Sequence, residues 1–306
     1  MTVQAQPPFD AITTFVINLD GSDERLSLIT ENLTSLNIPF ERVPAVDGRR
    51  FDVHALPEYN DRRAKTRYGR TLNGGEIGCF KSHIKCLQKM IDDDLPFALI
   101  IEDDMQAPDD FPQVLQECFD QLQTYDPNWH CVHFDAPSHR YMLRVNDIGS
   151  GTLFHSFFLP SNTGCILWSQ QGARSFLGSY FAKVISGPID AEMRSHMTRT
   201  GKGYMIMPPP MTPRRLKSDI DSVTNRLSNV KNGRKSNAKS KIMCHFPDHF
   251  WSWVNMTITR LKNLADHSAR APFIFAQILI SPHRNMWAVR SSKRLVEKMH
   301  ETQRRT

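Results

Sequence analysis

Long apolar runs are missing from this 306-residue chain. The longest candidate, 273–280, falls far short of the ~20 apolar residues that cross a bilayer. The start of the chain has no basic region followed by an apolar one, so no signal peptide is expected. Six cysteines, Cys79, Cys86, Cys118, Cys131, Cys165 and Cys244, are scattered without pairs at metal spacing. That pattern favours a reducing compartment over a disulfide framework, and Cys79 and Cys86 read as small apolar residues of one helix. A glycine-rich dinucleotide fingerprint is also lacking: Asn18-Leu19-Asp20-Gly21-Ser22 has the wrong spacing, and there is no Walker loop. Hydride transfer and ordinary ATPase chemistry are therefore poorly supported. His245 and His249 are four apart, but Pro247 intervenes and no Glu follows the first histidine, so the zinc-protease pattern is absent. No internal repeat is visible.

Hydrophobic content of 40% and charged content of 23% suit a globular chain that can bury a real core. Charge is unevenly placed. Residues 211–306 hold 19 Lys and Arg against 6 Asp and Glu, whereas 1–210 hold 19 against 26. A basic C-terminal third beside an acidic body points to an anionic partner: a phosphorylated substrate, a membrane surface or nucleic acid.

The junction of Phe97-Ala98-Leu99-Ile100-Ile101 with Glu102-Asp103-Asp104 is the most informative segment. Five apolar residues read as a strand buried on both faces. Three carboxylates at its end repel one another unless something offsets them. Alternation along an extended segment would aim Glu102 and Asp104 at one point and Asp103 elsewhere. Such hard oxygen ligands suit Mg²⁺ or Mn²⁺ beside a substrate's phosphates, and open α/β sheets bind ligands at the carboxyl ends of their strands. A solvated acidic loop is the plain alternative.

Strands are expected at 14–19, 40–43 and 97–101, with further apolar runs at 129–134 and 164–168. Helices are expected at 24–36, 75–90, 112–123 and 169–180, and the polar, basic stretch 50–73 reads as a loop. Alternation of this kind predicts an α/β fold with a mainly parallel, covered sheet. The boundaries are an α/β domain over 12–222 and a basic extension over 223–306. In the extension, 228–241 reads as a mobile loop, and a weak basic amphipathic helix follows from about His283.

Four ordered segments give the chain a specific resemblance: Phe15-Val16-Ile17-Asn18-Leu19-Asp20 with Arg25; Val43-Pro44-Ala45-Val46-Asp47-Gly48; Leu72-Asn73-Gly74-Gly75-Glu76-Ile77-Gly78-Cys79-Phe80-Lys81-Ser82-His83; and Ala98-Leu99-Ile100-Ile101-Glu102-Asp103-Asp104. Over roughly 14–112 the chain resembles glycosyltransferase family 25, which includes lipopolysaccharide and collagen galactosyltransferases. Weaker likeness continues through Thr163-Gly164-Cys165 to Pro188-Ile189-Asp190 and stops near residue 223. The resemblance implies a GT-A-like, Rossmann-type nucleotide-sugar fold, a UDP-sugar donor (commonly UDP-galactose), Mn²⁺ dependence and inversion at the anomeric carbon. It implies Glu102, Asp103 and Asp104 as the acidic metal and nucleotide motif, with Asp104 and Glu102 as metal ligands. Asn18, Arg25, Asp47 and Gly48 would border the nucleotide, and Asp190 would be the catalytic carboxylate near the acceptor.

Elementary chemistry fits these roles. UDP leaves readily only once its charge is offset, which a metal does without proton transfer, and one in-line attack needs a carboxylate to take the acceptor's proton. Each assignment competes with a plainer one. Asp190 could be a helix N-cap, with Glu192 and Asp135 in reserve as base. Arg25 could be a surface residue paired with Asp23 or Glu31. Asp47 could serve only its Asp-Gly turn. His83 reads as a buried, hydrogen-bonded histidine, Ser82 as a packing or capping residue, and Trp251 and Trp253 as core, with one of the two facing an acceptor sugar as the alternative. Arg214, Arg215 and Lys217 could screen a diphosphate or form a solvated charge run. The expected partners are a UDP-sugar, a glycan or glycolipid acceptor such as lipopolysaccharide, and an anionic membrane surface. The expected location is cytoplasmic, peripheral on the inner face of the membrane. A catalytically silent binding or adhesion module is the alternative in another class. A nucleic-acid-binding protein is less favoured because no base-reading motif exists.

Overall fold

The computed structural model describes residues 11–135, 141–214 and 251–259. Its backbone is an eight-stranded sheet with helices on both faces. The strands are β1 (Ile12–Asn18), β2 (Glu41–Pro44), β3 (Phe97–Glu102), β5 (Cys131–His133), β6 (Met142–Ile148), β7 (Gly151–Ser156), β8 (Cys165–Ser169) and β9 (Gly203–Met207). Two short strands, β4 (Met105–Gln106) and β10 (Thr212–Pro213), pair separately. The sheet order is β2-β1-β3-β8-β5-β9-β7-β6.

The expected mainly parallel sheet holds in one sense and not in another. Six of the eight strands run in one direction, with β8 and β7 reversed. Of the seven pairings, however, only three are parallel. The reversed β8 lies between β3 and β5 and makes two of the four antiparallel contacts. No pattern along β8 could reveal this, because a fully buried strand reads the same in either direction.

Alternation within the central strands explains the two-sided core. Leu99 and Ile101 of β3 face one apolar cluster, while Ala98 and Ile100 face the other. The first cluster is closed by α1 (Asp23–Ser35), through Ile29 and Leu33, and by α4 (Phe111–Tyr125), through Val114, Leu115, Cys118 and Leu122. The second takes Ile77, Phe80, Leu87 and Met90 of α3 (Gly74–Asp92), Ala173 and Phe176 of α5 (Gln170–Gly178), and Met193 and Met197 of α7 (Ile189–Thr200). Helix α3 starts with a capping box: Asn73 accepts from Glu76 N at 2.8 Å and Glu76 Oε2 accepts from Asn73 N at 3.0 Å.

Three expectations change. The stretch 50–73 contains α2 (Asp61–Tyr68), which buries only Ala64 and so shows little apolar periodicity. Trp251 and Trp253 lie on a helical stretch, 251–259, and are 44% and 43% exposed rather than core. The β6–β7 hairpin, joined at Gly149 with φ +45°, had no alternation to mark its outer strand. The expected loop at 228–241, the helix from His283, Arg215, Lys217, Cys244, His245 and His249 lie outside the described residues. No described helix is long and apolar enough to cross a membrane, and five described cysteines carry free thiols.

Candidate active site

The carboxyl ends of β1, β2 and β3 open into a cleft of about 630 Å³, solvent at its mouth included. Its lining includes Arg25, Asp47, Gly48, Cys79, His83, Glu102 and Asp103.

Main chain meets main chain on one side of it. A Cβ on Gly48 would lie 1.8 Å from Gly74 O, and one on Gly78 would lie 2.5 Å from Val46 O. Only glycine permits so close a crossing of the 46–48 loop over the first turns of α3. Ser82 fastens it: Val46 N donates to Ser82 Oγ at 2.8 Å, and that hydroxyl donates to Gly78 O at 2.7 Å. The packing role expected of Ser82 is therefore observed. Asp47, carried on this loop, accepts two guanidinium bonds from Arg49, at 2.8 and 2.7 Å, and its backbone N–H at 3.0 Å. Those contacts hold its carboxyl down at about 2.

The acidic triplet divides. β3 ends at Glu102, and Asp103 and Asp104 lie in the turn that follows. Strand alternation therefore does not extend across the triplet, although the charge of Glu102 acts on Asp104 more strongly than that of Asp103. Glu102 Oε1 accepts from Thr163 Oγ1 at 2.7 Å and lies 3.0 Å from His83 Nε2. Asp103 is buried, taking Asn18 Nδ2 at 2.7 Å and Arg25 NH1 at 2.9 Å. Arg25 NH2 reaches on to Asp104 Oδ2 at 3.0 Å. Asn18 is itself oriented by Arg42, whose Nε donates to Asn18 Oδ1 at 2.8 Å. Asp104 is not part of the cleft lining; it contacts Arg25, which is, and its carbonyl accepts from Arg214 N at 2.6 Å next to the β4–β10 pairing.

The electrostatics are unequal. Burial and the charges of Glu102 and Asp103 push the Asp104 carboxyl up to about 6, against the pull of Arg25. Burial also acts to raise Glu102, but His83, Thr163 and Arg25 outweigh it and hold Glu102 low. Two oxygen-donor side chains crowded with like charge fit a hard divalent cation, which would relieve their repulsion.

Asp190 lies in the first turn of α7, whose N-cap is Pro188, so the N-cap alternative for Asp190 does not hold. It is outside the cleft lining. Burial pushes its carboxyl up, Arg194 opposes this, and the charges of Glu76 and Glu102 add to the rise. Glu192 is a buried partner of Arg67 (2.8 and 2.9 Å) and Ser186 (2.9 Å). Asp135 Oδ2 accepts from Gly164 N at 2.7 Å, while Oδ1 and both ring nitrogens of buried His133 have no hydrogen-bond partner. His83 is buried and hydrogen-bonded, as expected. Cys79 and Thr163 were missed as parts of the site. Both resemble ordinary packing residues in sequence, and only the fold sets them against Glu102.

A sheet with carboxylates at its strand ends and helices on both faces is compatible with a Rossmann-like fold. Residues 11–147 match the profile of Glycosyltransferase family 25 (LPS biosynthesis protein). The chain is 31% identical over 133 residues to procollagen galactosyltransferase 2 of Homo sapiens, covering 41% of this chain and 20% of the relative. It is 30% identical over 175 residues to a glycosyltransferase 25 family member of Aedes aegypti (53% and 27%). It is also 30% identical over 133 residues to a protein of Rattus norvegicus named probable inactive glycosyltransferase 25 family member 3 (41% and 22%). The matched segment spans about a fifth to a quarter of the length of these curated relatives.

Proposed function

We propose that this protein is an inverting glycosyltransferase of GT-A-like fold that moves a hexose, galactose by family, from a UDP-sugar to a glycoconjugate acceptor. The observation supporting this reading is the gathering of Glu102, Asp103 and Asp104 at the end of β3, where burial and the charges of Glu102 and Asp103 outweigh Arg25 at Asp104. Mn²⁺ or Mg²⁺ on Asp104 and Glu102 would supply positive charge against the diphosphate of departing UDP. Asp103, fixed by Asn18, orients the Arg25 guanidinium toward that diphosphate. Asp47 and the Gly48 main chain offer a carboxylate and a close backbone approach for ribose or base. Asp190, raised by burial, takes the acceptor hydroxyl's proton as the attack inverts the anomeric centre. The basic segment 211–306 brings the enzyme to an anionic inner membrane face, with lipopolysaccharide or another glycolipid as acceptor.

UDP release from UDP-galactose with Mn²⁺, compared between wild type and Asp104→Ala, tests this. Release should fall on the order of 100-fold, equivalent to about 2.7 kcal/mol of barrier; equal turnover rejects the metal assignment. A panel of UDP-sugars then identifies the donor. A catalytically silent module is the second reading, favoured by the Arg25 contacts that already occupy Asp103 and Asp104 and by the relative named as probable inactive. Calorimetry in which neither UDP nor Mn²⁺ binds would select it.

A further inference from the structure

A thiol, an imidazole and a carboxylate converge on one wall of the cleft. Cys79 and His83 are four residues apart on α3 and so lie one above the other on a single helix face. The end of β3 brings Glu102 against them. One donor atom from each lies within 4.8 Å of the other two, with His83 Nε2 3.0 Å from Glu102 Oε1. All three line the cleft.

This donor set differs in kind from the oxygens of Asp104 and its neighbours. Sulfur and imidazole select Zn²⁺ over Mg²⁺ or Mn²⁺. Zinc holds sulfur at about 2.3 Å and nitrogen or oxygen at about 2.0–2.2 Å, which sets ligand atoms within about 4 Å of one another. A side-chain rotation at Cys79 supplies the remaining approach. Three protein ligands with a fourth position open to a cleft is an established zinc arrangement.

We propose that Cys79 Sγ, His83 Nε2 and Glu102 form a binding site for a soft divalent cation, Zn²⁺ by its chemistry. On coordination the Cys79 thiol releases its proton to solvent, and the His83 ring carries its proton on Nδ1. The Thr163 hydroxyl, 2.7 Å from Glu102 Oε1, keeps the carboxylate oriented. Glu102 is shared with the site proposed for the donor cation, so Zn²⁺ antagonises Mn²⁺-supported turnover. That last consequence rests on the proposed glycosyl transfer; the binding itself does not.

The full chain is titrated with Co²⁺ and then Zn²⁺, without nucleotide. Co²⁺ should produce the near-ultraviolet thiolate-to-cobalt charge-transfer absorption, and Zn²⁺ should displace it. Cys79→Ser should abolish the band and weaken Zn²⁺ at least tenfold, with folding checked by circular dichroism; Cys79→Ala repeats the reading if the serine variant does not fold. A wild-type protein lacking the band, or a Cys79 variant keeping the band or the wild-type Zn²⁺ affinity, overturns the site. Zinc binding as expected without UDP release under any cation would leave this site standing and remove the glycosyltransferase reading. Mn²⁺-dependent release without zinc binding would do the reverse.

Discussion

Arg67 and Arg25 each bind carboxylates from helices that cover opposite faces of the sheet, and their surroundings differ. Arg67 meets both oxygens of Glu192 and adds Ser195 at 2.9 Å, while Ser186 donates to the same carboxylate. Burial raises the Glu192 carboxyl, and Arg67, Ser186 and Arg63 lower it only in part, with no like charge adding to the rise. At Arg25 the guanidinium spans Asp103 and Asp104, but burial and then the charge of Glu102 lift Asp104 to about 6. One group is matched and serves packing between α2 and α7. The other is crowded with like charge, which costs stability and suits a site awaiting a cation. An arginine on a carboxylate therefore says little until the neighbouring charges are included.

The largest effect should come from breaking the matched group. Glu192→Ala leaves Arg67 facing a buried gap and should cost about 3–5 kcal/mol in chemical denaturation; a loss below about 1 kcal/mol would erase the contrast. Gly78→Ala forces a Cβ against Val46 O and should cost about 1–3 kcal/mol. It touches neither arginine, so the pH response of Asp104 should persist in that variant. That response is the third and smaller effect. The folded value of Asp104 is raised, so between about pH 4 and 6 the folded state holds more protons than the unfolded one. Stability should therefore fall as pH rises through this window, by about 1–2 kcal/mol after discounting for partial exposure. Asp104→Asn should flatten that part of the profile; an unchanged slope would place the strain elsewhere. Arg49→Ala should alter stability by less than about 1 kcal/mol while the Asp47 carboxyl rises from about 2 toward the ordinary range, followed by carboxyl-carbon NMR. No change in titration would mean that Arg49 does not control Asp47.

Much of this was legible in the chain. The run 97–101 and the amphipathic helices from Asp23 and Gly74 carry local periodicity that survives into the fold. The segment 11–147 carries the family signal as well. What stayed hidden depends on distant pairing. The reversal of β8 between β3 and β5 leaves no mark on a fully buried strand. The separation of Glu102 from Asp103 and Asp104 follows from where the strand stops and from Asn18, 85 residues away. Cys79 became a cleft residue only when β3 was laid beside α3. The exposed positions of Trp251 and Trp253 show the opposite failure, since apolar character alone does not fix burial.

The backbone crossing of Gly48, Gly74 and Gly78 has a consequence for how such a cleft can change its ligand. At the glycine contacts themselves no side chain stands between the loop and the helix, so there is nothing at those points to enlarge, shrink or recharge without a clash. Selectivity must be retuned from residues around the crossing, such as Arg25, Arg49 and Cys79. The glycine crossing remains an invariant datum from which their reach is measured.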